Sequence, residues 1–433
     1  MQSGRQKNDR KPYRPKQRQR RAAIVVSNAP IHNSTVSVRF REDAAPVRFV
    51  RSCEQTLAAF VAEHRPERLL EVGAEIGVVG LGAIQNGWAQ SVTWLTRDVV
   101  AANVLQATVD TASSESAHVV LAEGPSSLTS GQYDVIVVHQ QRSRALTELY
   151  ILQAETFLRS GGAMLVAGDI QDGIRTTCTF MRTLFDDVTH REGGKSSRVI
   201  VARKPRERCL DADELEGRSY GGFQIEGTRV ELVTAPGVFS ADDLDPASRL
   251  LLETVVLPHK GRVLDLGCGP GALGLYAALR APGTSVTMID SDIAAVNCAE
   301  EGVHRNGLEN VRVLAGDGID VVRKERFDVV MTNPPMHRAG RRETGLVERF
   351  VREAAHVIGR KGRLWLVTAP TVPVMRVLKE LFTEITITDD EDGKFRVYDA
   401  IRRPPRQADR KQLEEREATV NTRDAWYDFD EEW

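Results

Sequence analysis

Cysteine is scarce in this sequence, and long apolar runs are missing from it. The five cysteines are widely separated, and none forms the Cys-x-x-Cys pair typical of zinc sites and disulfide exchange. This pattern predicts a reducing compartment and no structural metal. No uninterrupted apolar stretch approaches the roughly 18 residues that a membrane span needs. The charged start leads into no apolar segment, so we expect a cytoplasmic protein without a secretory signal or a membrane partner.

Net charge is also low, at −2, but the two ends of the chain differ in sign. Residues 1–23 carry nine Lys or Arg and one Asp, whereas residues 424–433 carry five acids and no base. A basic segment so poor in apolar residues is predicted to be disordered, and it could exchange counterions with the phosphates of a nucleic acid. An RNA-binding arm and a plain solvated tail both remain open from this feature alone.

An internal duplication organises the rest of the chain. Three segments recur at a constant offset of 194 residues, as between Glu71 and Asp265: Glu71–Gly77 with Asp265–Gly271, Val92–Thr96 with Val286–Asp290, and Tyr133–His139 with Phe327–Asn333. Short aliphatic runs separated by helix-like stretches are typical of a parallel sheet covered on both faces. The sequence therefore predicts an α/β fold with two tandem Rossmann-like domains, each a doubly wound, mostly parallel sheet.

Composition places the boundaries of these domains. The predicted segments are a basic disordered arm (1–23), a first domain (24–204), a linker (205–218), a second domain (219–403) and a charged C-terminal tail (404–433). Within the second domain we expect a hairpin that turns at Glu226-Gly227 and a helix that begins near Asp245.

A glycine-rich turn follows the first repeated strand of the second copy. Its candidate ligand-binding residues are Asp265, Gly267, Gly269 and Gly271, followed by a predicted helix over Ala272–Leu279. Glycines allow backbone to bend sharply and to approach a ligand closely. The turn also fits a dinucleotide-binding pattern, but a dinucleotide fingerprint normally keeps the position of Asp265 apolar. The acid therefore favours S-adenosylmethionine as the cofactor.

Acids also follow the next two predicted strands. Asp290 can accept hydrogen bonds from both hydroxyls of a ribose, and Asp317-Gly318 offers an acceptor and an N–H to an adenine. Any one of these acids would more often be an ordinary surface residue. Three acids at the carboxyl ends of successive strands indicate a ligand site, because open α/β sheets bind ligands at that edge.

Asn333-Pro-Pro335 comes directly after the fourth predicted strand of the second copy. The prolines stiffen the turn and direct the carbonyls of Asn333 and Pro334 outward, beside the side-chain oxygen of Asn333. Such acceptors suit a planar NH2 group, whose lone pair they would turn toward an electrophilic methyl group. The motif therefore predicts transfer of a methyl group to an amine.

Together these motifs resemble the class I methyltransferases, and more closely the ribosomal RNA guanine-N2 methyltransferases, namely methyltransferase C of the small subunit and methyltransferase G of the large one. The resemblance extends over about residues 24–403 and rests on Asp265–Gly271, Asn333–His337, Gly237–Ser240, Asp245–Leu252 and Gly393–Tyr398. It implies two tandem methyltransferase folds, of which the first is degenerate and the second is active. It also implies that the partner is ribosomal RNA or a ribosomal subunit. The oligomeric state stays open, and a monomer is compatible with the sequence.

The resemblance also assigns the substrate side of the site. The candidate catalytic residues are Asn333, Pro334, Pro335, Met336, His337 and Phe239. The family usually has Phe after Asn-Pro-Pro, where it can stack on the target base, and this chain has Met336. Methionine is polarizable and can also lie against a ring, so stacking is expected from Met336, Phe239 or His337.

Other functions must be weighed against this one. Asn-Pro-Pro also serves methylation of the N6 amine of adenine and of a protein glutamine amide. A non-catalytic RNA-binding or ribosome-assembly factor could keep the same fold, although the intact motifs of the second copy argue against it. A NAD oxidoreductase lacks support, since no Tyr-x-x-x-Lys or comparable pattern is present.

The first copy keeps the scaffold but has replaced residues that would carry the chemistry in the second copy. Glu75 stands where the second copy has Gly269, Thr96 replaces Asp290, and His139-Gln-Gln141 replaces Asn333-Pro-Pro335. We therefore expect the first domain to bind no cofactor.

Overall fold

The computed structural model describes residues 24–41, 51–110, 116–129, 131–205, 217–239, 244–335, 337–338, 341–342 and 344–403. The basic arm, the charged tail and most of the predicted linker lie outside these residues, so their predicted character stays a prediction.

The first domain is a hairpin followed by a seven-stranded sheet with helices on both faces. Its strands are β1 (Ile24–Ile31), β2 (Ser34–Arg41), β3 (Arg68–Val72), β4 (Ser91–Thr96), β5 (Ala117–Leu121), β6 (Tyr133–His139), β7 (Leu158–Asp169), β8 (Phe185–Glu192) and β9 (Ser197–Pro205). Its helices are α1 (Ser52–His64), α2 (Val78–Gln85), α3 (Val99–Val109), α4 (Arg144–Glu155) and α5 (Ile174–Leu184). The order of strands in the sheet is β5-β4-β3-β6-β7-β9-β8.

The second domain repeats this plan. Its strands are β10 (Ser219–Ile225), β11 (Thr228–Thr234), β12 (Gly261–Leu266), β13 (Thr284–Asp290), β14 (Val311–Ala315), β15 (Phe327–Thr332), β16 (His337–Arg338), β17 (Arg341–Arg342), β18 (Ile358–Thr368), β19 (Phe382–Asp389) and β20 (Arg396–Arg402). Its helices are α6 (Pro246–Thr254), α7 (Ala272–Arg280), α8 (Ile293–Arg305), α9 (Thr344–Val357) and α10 (Met375–Leu381). The main sheet has the order β14-β13-β12-β15-β18-β20-β19.

The predicted fold class is confirmed. The two main sheets have the same order, and the strands that correspond at the 194-residue offset take the same places in them. In the second sheet only β20 runs antiparallel to its neighbours, as β9 does in the first. The expected hairpin turns at Glu226-Gly227, where both residues have positive φ, and α6 begins after an N-cap at Asp245.

Apolar side chains of the central strands pack against both faces of each sheet. In β12, Val263 belongs to one buried cluster and Leu264 to the cluster on the opposite face. In β3, Leu69 and Leu70 are divided in the same way. This alternation explains why the strands read as continuous aliphatic runs, because a parallel sheet covered by helices on both faces buries every side chain of its central strands.

The two domains meet through equivalent loops. The N–H of Val99 donates to the carbonyl of Ser291, and the N–H of Ile293 donates to the carbonyl of Arg97, each at 2.8 Å. The 194-residue offset exchanges these two bonds, and the isolated bridge between Asp98 and Asp292 lies between them. The contact is therefore nearly two-fold symmetric.

Neither a membrane span nor a metal site is found among the described residues. None of the helices in this part of the chain is long and apolar enough to cross a membrane. The same residues contain no group of three or more His, Cys, Asp or Glu side chains that could hold a metal ion.

Replacing Leu264 by Ala is expected to lower the free energy of unfolding by about 2 to 5 kcal/mol, since the change leaves a cavity in a packed core. Leu264 is fully buried, whereas Val256 of the same domain is 68% exposed. Val256→Ala is the control and should change the free energy by no more than about 0.5 kcal/mol. Urea unfolding followed by circular dichroism measures both values, and equal values would contradict the described core.

Candidate active site

The predicted site residues lie at one edge of the second sheet. Asp265 is in β12, Asp290 ends β13, and Asn333 directly follows β15. These three strands are neighbours in the order β13-β12-β15 and run parallel. Because parallel strands end at the same edge, the structure brings these residues to one side of the domain.

The glycine-rich loop leaves β12 with an open backbone face. Gly269 has a φ of 54°, and among the described residues a Cβ added there would meet only Cβ of Phe239 within 4 Å, at 3.9 Å. Gly271 has a φ of 89°, and its added Cβ would lie 3.1 Å from Sδ of Met288. Gly269 therefore leaves room for a ligand beside the backbone, while Gly271 lets α7 pack closely on the sheet.

Asp265 presents a free acceptor in the interior of the domain. Its side chain is fully buried, and its Oδ2 accepts the N–H of Gly274 at 2.8 Å. Its Oδ1 is also buried and has no hydrogen-bond partner among the described residues. Burial raises the pKa of Asp265 to about 7, and the N–H of Gly274 acts in the opposite direction. A buried acceptor without a partner is costly, so this oxygen marks a place for a ligand donor.

Asp290 joins the glycine-rich loop to the start of α8. Its Oδ2 accepts the N–H of Gly269 at 2.8 Å, and its Oδ1 accepts the N–H of Asp292 at 2.9 Å. Burial raises the pKa of Asp290, and these backbone N–H groups lower it. Each carboxylate oxygen keeps a second lone pair, so the pair of oxygens is still able to accept two hydroxyl hydrogens.

Asp317 has a cationic partner that the sequence did not reveal. Its Oδ1 accepts a hydrogen bond from Arg349 of α9 at 2.6 Å, and Arg349 also donates to Glu353 at 2.6 Å. The second oxygen of Glu353 is buried without a partner among the described residues, and it lies where a Cβ on Gly318 would stand. In sequence, Arg349 and Glu353 look like an ordinary pair on one face of a helix, so only the tertiary contact shows that they adjoin the predicted adenine site.

Two residues of the Asp245 segment orient the side chain of Asn333. Nδ2 of Asn333 donates to Oδ2 of Asp245 at 2.9 Å and to Oγ of Ser248 at 3.0 Å. Oδ2 of Asp245 also accepts the N–H of Ser248, which caps α6. Because an ionised carboxylate only accepts, it turns the NH2 group of Asn333 toward itself and leaves Oδ1 as the acceptor for another group.

The remaining candidate catalytic residues are described in part. Pro334 is buried and Pro335 is exposed, while the Phe239 side chain is 59% exposed close to Gly269. Met336 lies outside the described residues, and only the backbone of His337, in β16, is described. The stacking roles considered for these two residues stay predictions.

In the first domain, Glu71 takes the position of Asp265, and groups of the same domain bind both of its oxygens. Glu71 is fully buried, and its Oε2 accepts the N–H of Gly80 at 2.7 Å and Nε1–H of Trp94 at 2.9 Å. Its Oε1 lies 2.8 Å from Nε2 of His139. Both oxygens of Glu71 are thus bound within the domain, unlike those of Asp265.

Two of the other replacements in the first domain, Gln141 and Thr96, form hydrogen bonds within that domain. Gln141 folds back so that its Nε2 donates to the carbonyls of Gly73 and His139, at 3.1 and 2.7 Å. Thr96, at the position of Asp290, accepts the N–H of Asp98. Glu75 is exposed at the surface. These contacts agree with the expectation that this domain binds no cofactor, which stays a prediction.

The donors and acceptors of the second domain fit S-adenosylmethionine. Asp265 would supply an acceptor suited to its ammonium group, Asp290 an acceptor for its ribose hydroxyls, and Gly269 an open backbone face. A dinucleotide offers no ammonium group to the buried acid at Asp265.

Known proteins match the chain over both domains. The family described as "Methyltransferase small domain" matches residues 49–200 and 229–399. Ribosomal RNA small subunit methyltransferase C of Escherichia fergusonii is 28% identical over 268 residues, which cover 62% of this chain and 75% of the relative. The protein of the same name from Hahella chejuensis is 27% identical over 271 residues, covering 63% and 78%.

A solved structure extends this similarity to the fold of both domains. It is the T. Thermophilus 16S rRNA N2 methyltransferase in complex with AdoMet and guanosine. The two chains share 26% sequence identity with a TM-score of 0.72, covering 88% of this chain and 98% of the other. With one family match in each domain, and with the two matches spanning most of the sequence, the chain belongs to the Methyltransferase small domain family of S-adenosylmethionine-dependent enzymes.

Proposed function

We propose that this enzyme transfers a methyl group from S-adenosylmethionine to the N2 amine of a guanine in ribosomal RNA. The observation that carries the proposal is the orientation of Asn333, whose NH2 group is committed to Asp245 and Ser248. Its Oδ1 is left as an acceptor at the sheet edge that holds the cofactor residues. The names of the relatives, and the guanosine bound in the similar structure, support guanine as the base.

The site residues act on the amine by orienting it. When bound, S-adenosylmethionine supplies an electrophilic methyl group on a sulfonium. Oδ1 of Asn333 and the carbonyl of Pro334 would accept the two hydrogens of the amine. Held in this way, the nitrogen lone pair leaves conjugation with the ring and faces the methyl group. As the N–CH3 bond forms, the S–CH3 bond would break and S-adenosylhomocysteine would leave. The methylated nitrogen, made acidic by its positive charge, would then lose one proton to water. Orientation rather than a strong base therefore accounts for the chemistry.

The target guanine must be unpaired or flipped out of its helix, because pairing engages its amine. Phe239 is the described aromatic side chain that is both exposed and adjacent to the glycine-rich loop. Stacking of the base on Phe239 would offset part of the cost of removing it from its neighbours.

Ribosomal RNA or a ribosomal subunit is the partner that this function requires. The proposal therefore places the enzyme in the cytoplasm. The basic residues of the segment 1–23 would contribute contacts with phosphates, which carry no sequence information but raise affinity.

The direct test is transfer of labelled methyl groups to small subunits, large subunits, their naked RNAs and total protein, followed by nucleoside analysis. We expect label in N2-methylguanosine from one subunit. Asn333→Ala should lower the rate by about a hundredfold or more, because it removes a preorganised acceptor, while the affinity for S-adenosylmethionine is unchanged. Label in adenine or protein would overturn the substrate, and near-normal turnover of the variant would overturn the role of Asn333.

Asp245→Asn should lower kcat by about tenfold, because an amide can donate as well as accept and no longer fixes the orientation of Asn333. Asparagine is as good an N-cap as aspartate, so α6 and the melting temperature should be preserved. The affinity for S-adenosylmethionine, measured by calorimetry, should also be preserved. A variant with unchanged kcat would show that Asp245 acts only as a cap.

Calorimetric titration should find one S-adenosylmethionine site per chain, since both oxygens of Glu71 are bound inside the first domain. Asp290→Ala should remove this site, because it deletes the ribose acceptor. Glu75→Ala changes the first-domain position equivalent to Gly269 and should leave affinity and stoichiometry unaltered. Two sites per chain in the wild-type protein would contradict the prediction that the first domain binds no cofactor.

A further inference from the structure

In the first domain, residues that follow the carboxyl ends of the strands contact the second domain. At the 194-residue offset, Arg97 corresponds to Ser291, and Glu123 corresponds to Asp317. Arg97 belongs to the loop that pairs with Ser291 and Ile293 across the interface. Glu123 accepts hydrogen bonds from Arg218 at 2.6 Å and from Asn297 at 2.5 Å. The position of Asp317, a predicted ligand-binding residue of the second copy, is therefore occupied in the first copy by a residue that binds the neighbouring domain.

Arg97 joins two separate loops of the second domain. Its Nη1 donates to the carbonyl of Pro236 at 2.8 Å, and its Nη2 donates to Oδ2 of Asp292 at 2.5 Å. Its side chain is only 11% exposed. A guanidinium held by two such partners in a nearly dry interface is geometrically fixed, because its donors form a rigid fork.

Both loops belong to the active site. The N–H of Asp292 donates to Oδ1 of Asp290, and the other Asp292 oxygen caps α8 through the N–H of Ala294. Pro236 begins the turn that places Phe239 beside Gly269. A displacement of Arg97 would therefore displace both the ribose acceptor Asp290 and the exposed ring of Phe239.

Charge also makes this arginine necessary. Asp98, Asp290 and Asp292 converge at the interface, and burial raises the pKa of both Asp290 and Asp292. The charge of Asp98 adds to the rise at Asp290, while Arg97 lowers the pKa of Asp292. The cation therefore favours the ionised form of Asp292, its hydrogen-bond partner, and a charge-assisted bond holds Asp292 more firmly in place.

We infer that Arg97 is a positioning residue for cofactor binding: from the first domain, it holds Asp292 and thereby the ribose acceptor Asp290 of the second. The inference deepens the proposed function and rests on it only for the reaction that follows binding. It gives the first domain a specific part in the active site, through a side chain that does not touch the cofactor.

The test is calorimetric titration of the full-length protein with S-adenosylmethionine, at a temperature well below the melting temperatures measured in parallel. Arg97→Gln should raise the dissociation constant about tenfold, the loss expected for one charge-assisted interaction. Arg97→Lys keeps the charge but not the fork, so its dissociation constant should rise about threefold. If Arg97→Gln fails to fold, the dissociation constant of Arg97→Lys alone tests the inference.

Glu123→Gln is the matched control, because it weakens another interdomain contact, and Glu123 has no hydrogen bond to Asp290 or Asp292. It should lower the melting temperature and leave the dissociation constant unchanged. Equal weakening of cofactor binding by Glu123→Gln and Arg97→Gln, or a folded Arg97 variant of wild-type affinity, would overturn the inference. A wild-type enzyme that binds S-adenosylmethionine but methylates no RNA would overturn the proposed function alone.

Discussion

The hydrogen bond from the N–H of Gly274 to the carboxylate of Asp265 fixes the centre of the second domain. It joins β12 to the first turn of α7, and the glycine-rich loop lies between these two ends. Only one oxygen of the carboxylate is used, and the other is buried without a partner among the described residues. Asp290 then ties the same loop to α8. The cofactor site is thus a consequence of how one buried strand is attached to its helices.

The first domain keeps the bond between the buried carboxylate of the strand and the following helix, but its carboxylate has no oxygen without a partner. Glu71 accepts the N–H of Gly80, which corresponds to the bond between Asp265 and Gly274. The longer side chain also reaches Trp94 and His139, so both of its oxygens have partners within the domain. The fold survives because its strands, helices and packing do not depend on the lost acceptor. The fold and the unpaired acceptor are therefore separable in this architecture.

The sequence was sufficient to predict features that lie within one segment. The 194-residue repeat predicted both sheets, and the strand ends predicted that Asp265, Asp290 and Asn333 share one edge of the second sheet, because the carboxyl ends of parallel strands must meet. The roles of these residues in binding and catalysis stay predictions. The sequence could not identify Asp245 as the partner of Asn333, nor Arg349 as the partner of Asp317, since each pair joins segments far apart in the chain. Arg97 was missed for the same reason. Its partners are in the other domain, and nothing local distinguishes it from a surface arginine.

The symmetric contact between the domains needs little affinity, because its two partners belong to one chain. Each backbone bond across it has a counterpart at the 194-residue offset, as in the isologous interface of a dimer. Here the two partners are joined covalently by the short segment between Pro205 and Gly217. Such a tether holds them at an effective concentration of about a millimolar, whatever the concentration of the protein. The interface therefore needs less affinity than that of two separate chains. Its polar contacts can instead position residues of one domain relative to the other.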